Sequence, residues 1–268
     1  MMERKPYVSG QFYPSDREKL KNELRRLCPP VVEKKDAICL IAPHAGYMYS
    51  GAVAGSLYAS VNLKKIFIIL CPNHSGMGEK CAVMSRGAWN IPLGSIPINE
   101  GLANAIKDAT DLVAEDSAAH AFEHSLEVQL PFIFHLNDDF DFVPIALKNL
   151  SLEECETLGE TIASSIKNYG EDVMIVASTD MTHYESDEVA RKKDRLAIDR
   201  ILQLDPSGLY ATVREHDISM CGYIPTTVAM FSAIKLGARS AKLIQYATSG
   251  DVSGDYHRVV GYAGIYLS

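Results

Sequence analysis

The sequence lacks the features that define several classes of protein. No apolar run is long enough to span a bilayer, and no two of the six cysteines form a C-x-x-C pair. A chain of 268 residues can stabilise a core without disulfide crosslinks, so we expect reduced cysteines that are mostly buried. The first six residues, MMERKP, also lack the apolar stretch of a signal peptide, and we expect a cytoplasmic protein.

Basic residues are too few and too scattered for a nucleic-acid-binding surface. The chain has 26 Lys and Arg against 34 Asp and Glu, which gives a formal net charge of -8. The basic residues form no stripe interleaved with aromatic residues, an arrangement typical of proteins that bind nucleic acids. We therefore expect neither nucleic acid nor a membrane as a partner.

The sequence does contain short apolar stretches that alternate with amphipathic helical patterns. The stretches 37–42, 65–71 and 172–177 are too short for stable helices and are typical of buried parallel strands. Helical patterns separate them, for example over 152–166, and no break in composition indicates a second domain. We predict a single α/β domain over residues 1–268, a sandwich with a mostly parallel central sheet.

Polar residues ahead of apolar periodic segments predict where helices begin. Ser50 is expected to cap a helix over 51–60, and Asn99 and Ser186 are expected to cap later helices. Residues 89–98 contain two short apolar groups around a Gly-Ser pair, which predicts a β-hairpin. Its two prolines would confine it to a sheet edge.

Each of the three strongest strand patterns is followed within a few residues by a histidine. These histidines are His44, His74 and His183. Ligands of open α/β sheets bind at the edge where the carboxyl ends of the parallel strands meet. The sequence therefore predicts that the three side chains converge on one site.

The first candidate site combines His44 and His74 with Cys221. Two neutral imidazoles and a thiolate can bind a transition metal and leave coordination positions open. Cys221 precedes Gly222 and a predicted helix, whose dipole would favour the thiolate. The alternative is an ordinary buried cysteine.

The second candidate site is the pair Asp180 and His183, three residues apart after a strand. A carboxylate at this spacing can orient a histidine and keep it basic, as a general base requires. The alternative is that Asp180 caps a turn.

The third candidate site is the pattern His120-x-x-Glu123-His124. If the segment is helical, both histidines lie on one face with the glutamate beside them, as in the inverted zinc-peptidase motif. This arrangement would predict a zinc-dependent hydrolase. The alternative is that Glu123, His124 and Glu127 line a pocket or hydrogen-bond to metal ligands.

Several motifs in order along the chain together resemble the Memo-like family, whose archaeal and bacterial members are called AmmeMemoRadiSam system protein B. The resemblance covers essentially the whole chain. The motifs are GQFYP at 10–14, PHAGY at 43–47, PNH at 72–74, EHSLEVQLP at 123–131, STD at 178–180 followed by His183, CG at 221–222 and SGD at 249–251.

The resemblance implies a fold similar to that of the class III extradiol dioxygenases, which are non-haem iron enzymes that open catechol rings. It implies that His44 and His74 are metal ligands, that Cys221 takes the place of the carboxylate ligand, and that His183 is the catalytic base. A thiolate softens such a site towards copper or zinc, so we expect iron, copper or zinc as the cofactor.

We accordingly predict a metal-binding protein with a dioxygenase-like pocket that performs metal-dependent redox chemistry. Its substrate would be a small molecule or a modified peptide. Two alternatives remain open: a non-enzymatic binding or scaffold protein that retains the cleft, and a zinc-dependent hydrolase that uses His120, Glu123 and His124.

Overall fold

The computed structural model describes residues 2–268, in which strands alternate with helices. The strands are β1 (Glu3–Arg4), β2 (Cys39–Ala42), β3 (Ile66–Pro72), β4 (Cys81–Val83), β5 (Ala88–Ile91), β6 (Gly94–Pro97), β7 (Ala114–Glu115), β8 (Asp141–Leu147), β9 (Val173–Ser178), β10 (His183–Glu185), β11 (Ala241–Thr248) and β12 (Val259–Leu267).

The helices lie between these strands, and a short 3₁₀ turn over Glu127–Gln129 precedes the fifth of them. They are α1 (Arg17–Leu27), α2 (Tyr47–Ala59), α3 (Glu100–Asp108), α4 (Ala118–Ala121), α5 (Leu130–Leu136), α6 (Leu152–Tyr169), α7 (Asp187–Leu202), α8 (Pro206–Glu215), α9 (Tyr223–Leu236) and α10 (Gly250–Ser253). Among the described residues, no helix has both the length and the apolar composition needed to cross a bilayer.

The large central sheet has the strand order β10-β12-β2-β9-β3-β8-β4-β7, and β11 also pairs with β12. Its middle strands β2, β9, β3 and β8 are parallel to one another. Antiparallel pairs flank them, because β12 runs against β2 and β4 runs against β8. The α/β class and the parallel centre agree with the prediction, although the sheet as a whole is mixed.

Two groups of helices cover this sheet. Helix α2 packs on β11 and β12 and against α5, whereas α9 packs on β9 and β3 and against α6. The strands at the centre are buried along their length, which is why they appear in the sequence as continuous apolar runs.

The predicted hairpin is present and forms a second, smaller sheet. Strands β5 and β6 pair in antiparallel fashion, and β1 adds to β5 in parallel. The amino-terminal segment is therefore joined to the middle of the chain by backbone hydrogen bonds.

Two of the three predicted helix caps are correct. The Asn99 side chain accepts a hydrogen bond from the backbone of α3, and Ser186 does the same for α7. The prediction for Ser50 is wrong, because α2 already begins at Tyr47 with Gly46 as its cap. Ser50 lies inside the helix, where its hydroxyl donates to the Ala45 carbonyl at 2.9 Å.

Candidate functional site

The loops that follow β2, β3 and β9 surround one pocket of about 470 Å³. The carboxyl ends of these parallel strands lie at the same edge of the sheet, as the strand pattern predicted. Six of the predicted site residues line this pocket, namely His44, His74, His124, Asp180, His183 and Cys221.

His44 presents one defined nitrogen to the pocket. Its Nδ1 lies 2.9 Å from Ser178 Oγ, and that hydroxyl donates its own proton to the Ser125 carbonyl at 2.7 Å. Ser178 must therefore accept from His44 Nδ1, which leaves a lone pair on Nε2. Burial and the neighbouring histidines hold the pKa of His44 well below its usual range, so the ring is neutral.

His74 is held by Glu123 in the same way. The His74 backbone N–H donates to Glu123 Oε2 at 2.6 Å, and Nδ1 lies 3.0 Å from Oε1. Ser125 also donates its backbone N–H and its hydroxyl to Oε1. Burial alone would raise the pKa of Glu123, but these donors lower it to about 2. The carboxylate thus fixes Nδ1–H of His74 and leaves Nε2 free to bind a ligand.

Cys221 lies beside these two rings. Its Sγ is 3.3 Å from His44 Nε2 and accepts a hydrogen bond from the Asp180 backbone N–H at 3.2 Å. One ligand atom from each of His44, His74 and Cys221 lies within 4.8 Å of the others. Tetrahedral ligands bound at about 2.0 to 2.3 Å lie about 3.5 Å apart, so small side-chain movements would complete such a site.

The expectation that a helix dipole favours the Cys221 thiolate is wrong for the metal-free protein. Burial and the nearby Asp180 carboxylate raise the pKa of the thiol. Cys221 also lies ahead of Gly222, which is itself the residue before the first turn of α9. Desolvation therefore outweighs the dipole, and a bound cation would be needed to deprotonate the thiol at neutral pH.

Asp180 and His183 share the pocket but are not hydrogen-bonded to each other, which corrects the predicted pairing. Asp180 Oδ1 accepts from the His44 backbone N–H at 2.8 Å, and burial raises the pKa of this carboxyl to about 6. His183 Nδ1 lies 2.9 Å from the Ser219 carbonyl, to which it donates. Ser219, rather than Asp180, orients this ring by accepting from Nδ1, and Nε2 is the nitrogen without this partner.

The segment 120–124 is not a continuous helix, so the pattern His120-x-x-Glu123-His124 does not form a zinc-peptidase site. Helix α4 ends at Ala121, and Glu123 and His124 lie in an irregular segment after it. The His120 ring is buried elsewhere, with Nε2 3.1 Å from the Ala82 carbonyl. His120 therefore belongs to neither group of possible metal ligands among the described residues, contrary to what this motif predicted.

His124 forms a wall of the pocket. Its ring stacks on His74 with centroids 4.8 Å apart and packs edge-on against His44. His74, Glu123 and His124 form a second group whose ligand atoms lie close together. The Glu123 carboxylate in that group already accepts hydrogen bonds from His74 and Ser125. This favours Glu123 as a residue that orients a histidine ligand, and not as a metal ligand itself.

Glu127 does not line the pocket, contrary to one of the predicted roles. It is fully buried and accepts hydrogen bonds from Arg4, from the Tyr13 hydroxyl and from the backbone N–H groups of Tyr7 and Val8. It thereby fixes the amino-terminal segment. That segment supplies another pocket residue, Phe12, whose ring lies 4.9 Å from that of His124.

Sequence reasoning missed the serines that orient the histidines and the tyrosine at the pocket mouth. Ser125 and Ser178 lie within motifs, but a serine in a motif does not reveal which ring it contacts. Ser219 carried no signal at all. Tyr184 lines the pocket with a backbone φ of 62°, which a sequence pattern does not predict for a tyrosine.

Comparison with known proteins gives consistent matches over the whole chain. The family model described as Memo-like protein matches residues 4–266. A MEMO1 family protein of Methanopyrus kandleri is 42% identical over 98% of both chains. One of Methanothermobacter thermautotrophicus is 40% identical, covering 98% of this chain and 99% of its own.

A solved structure is similar in fold. The crystal structure of an uncharacterized protein from Escherichia coli K12 matches with a TM-score of 0.58, covering 85% of this chain and 98% of that chain. The two sequences are only 10% identical, so this likeness concerns the fold alone.

Proposed function

This chain belongs to the Memo-like protein family, and we propose that it binds a transition metal through His44, His74 and Cys221. The proposal rests on one observation: a ligand atom from each of these three residues lies within 4.8 Å of the other two, at the edge of the sheet. Both imidazoles are also held with Nδ1 on a protein acceptor, so that each Nε2 is available as a ligand.

The chemistry of the donors restricts the metal. Two imidazole nitrogens suit iron, copper and zinc, whereas the thiolate of Cys221 favours copper or zinc over a harder ion. Three protein ligands leave at least one position for a substrate or water. The pocket, with a volume of about 470 Å³, has room for a small molecule or for the side chain of a modified peptide.

The proposed activity is metal-dependent redox chemistry in a dioxygenase-like pocket. When bound, iron or copper would supply electron transfer, whereas zinc would supply Lewis acidity alone. His183 would accept a proton from the substrate at Nε2, because Ser219 occupies its other nitrogen. Asp180 would hold the His44 backbone in place, and Phe12 would exclude water from one side of the pocket.

Elemental analysis of anaerobically purified protein tests the metal site. We expect about one metal ion per chain in the wild type and more than about tenfold weaker binding in His44→Ala and Cys221→Ser. His257→Ala is the matched control, because His257 is exposed and outside the pocket. Equal metal content in all four proteins would refute the ligand assignment.

The same experiment addresses the competing function. A folded wild type that binds none of iron, copper or zinc would favour a non-enzymatic binding protein that retains the cleft. Retention of metal by Cys221→Ser with loss in His124→Ala would instead favour the second group of His74, Glu123 and His124.

A further inference from the structure

Three backbone carbonyls of the loop 73–80 converge on a single ammonium group. Lys148 Nζ donates to the carbonyls of Gly76, Met77 and Gly78, with the contact to Gly78 at 2.7 Å and that to Met77 at 3.3 Å. We call these three carbonyls together the carbonyl cage. Within residues 2–268, Lys148 forms no ion pair with a carboxylate, so the cage supplies its polar partners.

The backbone of the loop is shaped to form this cage. Gly76 and Gly78 have φ values of 67° and 69°, in the left-handed region that favours glycine. A Cβ on Gly78 would also meet the Asp116 carboxylate, which would have to shift. Because Met77 between them does not share this left-handed conformation, the backbone turns at each residue, and the carbonyls of all three face the Lys148 ammonium.

Such a cage requires a cation or a strong donor at its centre. Converging carbonyl oxygens repel one another, and an ammonium group has three protons to satisfy three acceptors. Rings of backbone carbonyls are also what proteins use to replace the hydration shell of K⁺. Lys148 follows β8, which lies between β3 and β4, the two strands that the loop connects. Its ammonium is therefore placed beneath the middle of the loop.

The cage is connected to His74 through a short chain of hydrogen bonds. The Met77 carbonyl also accepts from Asn73 Nδ2 at 2.6 Å, and Asn73 N–H donates to the Leu147 carbonyl at 2.9 Å. Asn73 directly precedes His74. We propose that the Lys148 ammonium acts as a built-in monovalent cation that holds the loop 73–80 and thereby positions His74. The effect on metal binding rests on the proposed function, since His74 is one of the proposed ligands.

Two substitutions at Lys148 separate the effect of the ammonium charge from the effect of the side-chain volume. Lys148→Ala removes the ammonium and opens room for a small cation, whereas Lys148→Met removes the charge but keeps most of the side-chain volume. In both variants we expect faster amide hydrogen exchange of the loop 73–80 in the metal-free protein. We also expect Co(II), followed by its thiolate charge-transfer band, to bind about tenfold more weakly.

Chemical rescue is the decisive measurement. K⁺, ammonium or n-propylammonium should restore slow exchange and Co(II) affinity in Lys148→Ala but not in Lys148→Met. Choline chloride at equal ionic strength should restore neither, because choline is too large for the cage. If Lys148→Ala folds only when a cation is added, the dependence of folding on K⁺ against choline becomes the readout.

Lys80→Ala is the matched control, because Lys80 belongs to the same loop but pairs with Glu154 at the surface. This variant should leave loop exchange and Co(II) affinity unchanged. The proposal is overturned if Lys148→Ala behaves like the wild type. It is also overturned if choline restores Lys148→Ala as well as K⁺ does, or if K⁺ restores Lys148→Met as well as it restores Lys148→Ala. Failure of the wild type to bind Co(II) would refute the proposed metal site alone, because loop exchange still reports on the cage.

Discussion

At the scale of single residues, the Ser178 hydroxyl determines which nitrogen of His44 faces the pocket. Its one proton goes to the Ser125 carbonyl, and it accepts from both His44 Nδ1 and Gln129 Nε2. An alanine at this position would leave the imidazole free to exchange tautomers and rotate. The choice of Nε2 as the nitrogen that faces the pocket is thus set by a residue outside the proposed ligand set.

We therefore predict that Ser178→Ala weakens Zn(II) binding by about tenfold while the protein still folds. Two buried donors lose their acceptor, which should lower the free energy of unfolding by about 1 to 3 kcal/mol. Ser232→Ala is a suitable control, because Ser232 is also fully buried and its hydroxyl donates to the Gly159 carbonyl away from the pocket. Urea unfolding and Zn(II) titration of both variants would test this; equal Zn(II) affinities would contradict it.

A second prediction at this scale concerns the reactivity of Cys221. It is half-buried, whereas the other five cysteines are buried, so an alkylating agent should label it first in the metal-free protein. Because burial and Asp180 raise the pKa of the thiol, labelling should become faster as the pH is raised into the alkaline range. Stoichiometric Zn(II) should slow it by occupying the sulfur. Peptide mapping that finds another cysteine labelled first would contradict this prediction.

The residues of the pocket show what sequence patterns can and cannot reveal. His44, His74 and His183 were expected to approach one another because parallel strands bring their carboxyl ends to one edge, and all three line one pocket. The hydrogen-bond partners of His44 and His183 were not predictable, since Ser178 and Ser219 lie far from these histidines in the sequence. The pairing of His183 with Asp180 failed for that reason.

At the scale of secondary structure elements, a β-bulge in β10 shapes the mouth of the pocket. His183 and Glu185 pair with the adjacent residues Val260 and Val259 of β12, which leaves Tyr184 as the extra residue. Tyr184 adopts a φ of 62°, a conformation that costs a residue with a side chain about 1 to 2 kcal/mol. The bulge allows both His183 and Tyr184 to line the pocket.

A pair of substitutions at Tyr184 isolates the free-energy cost of its positive φ. Both Tyr184→Gly and Tyr184→Ala remove the ring, but only glycine adopts this φ without strain. We expect the glycine variant to have a free energy of unfolding about 1 kcal/mol larger than that of the alanine variant. Urea denaturation measures the difference. An alanine variant of equal or greater stability would show that the positive φ carries no cost.

The central strands were predictable because burial on both faces leaves a continuous apolar run, and Asn99 and Ser186 were predictable because a cap acts within one turn. The segment 120–131 was not. It is not one continuous helix, because two buried carboxylates, those of Glu123 and Glu127, take hydrogen-bond partners from His74 and from the amino-terminal segment. Local propensity contains no information about such distant partners.

At the scale of the whole molecule, Glu127 attaches the amino-terminal segment to the body of the protein. Arg4 donates to the Glu127 carboxylate and to the carbonyls of His120 and Glu123, and its guanidinium lies 4.0 Å above the Trp89 ring. Because Phe12 belongs to the attached segment, the wall of the pocket depends on this buried ion pair.

Glu127→Ala should lower the free energy of unfolding by about 3 to 5 kcal/mol, because it leaves the buried Arg4 guanidinium without its carboxylate. Glu18→Ala removes an exposed ion pair with Lys21 and should change stability by less than about 1 kcal/mol. Both values follow from urea denaturation. A loss in Glu127→Ala no larger than that in Glu18→Ala would mean that the segment is held by other contacts.

The position of β2 in the sheet has a consequence for how the protein is made. β2 is hydrogen-bonded on one side to β9 and on the other to β12, both of which follow it far along the chain. During synthesis, β2 leaves the ribosome long before either neighbour exists, and its edges must stay unpaired until β9 and then β12 emerge. Pairing over such sequence separations is slow and exposes nascent chains to association. The central sheet is therefore completed only after translation of β12, and a chain interrupted before that strand would present an open β2 edge to chaperones and proteases.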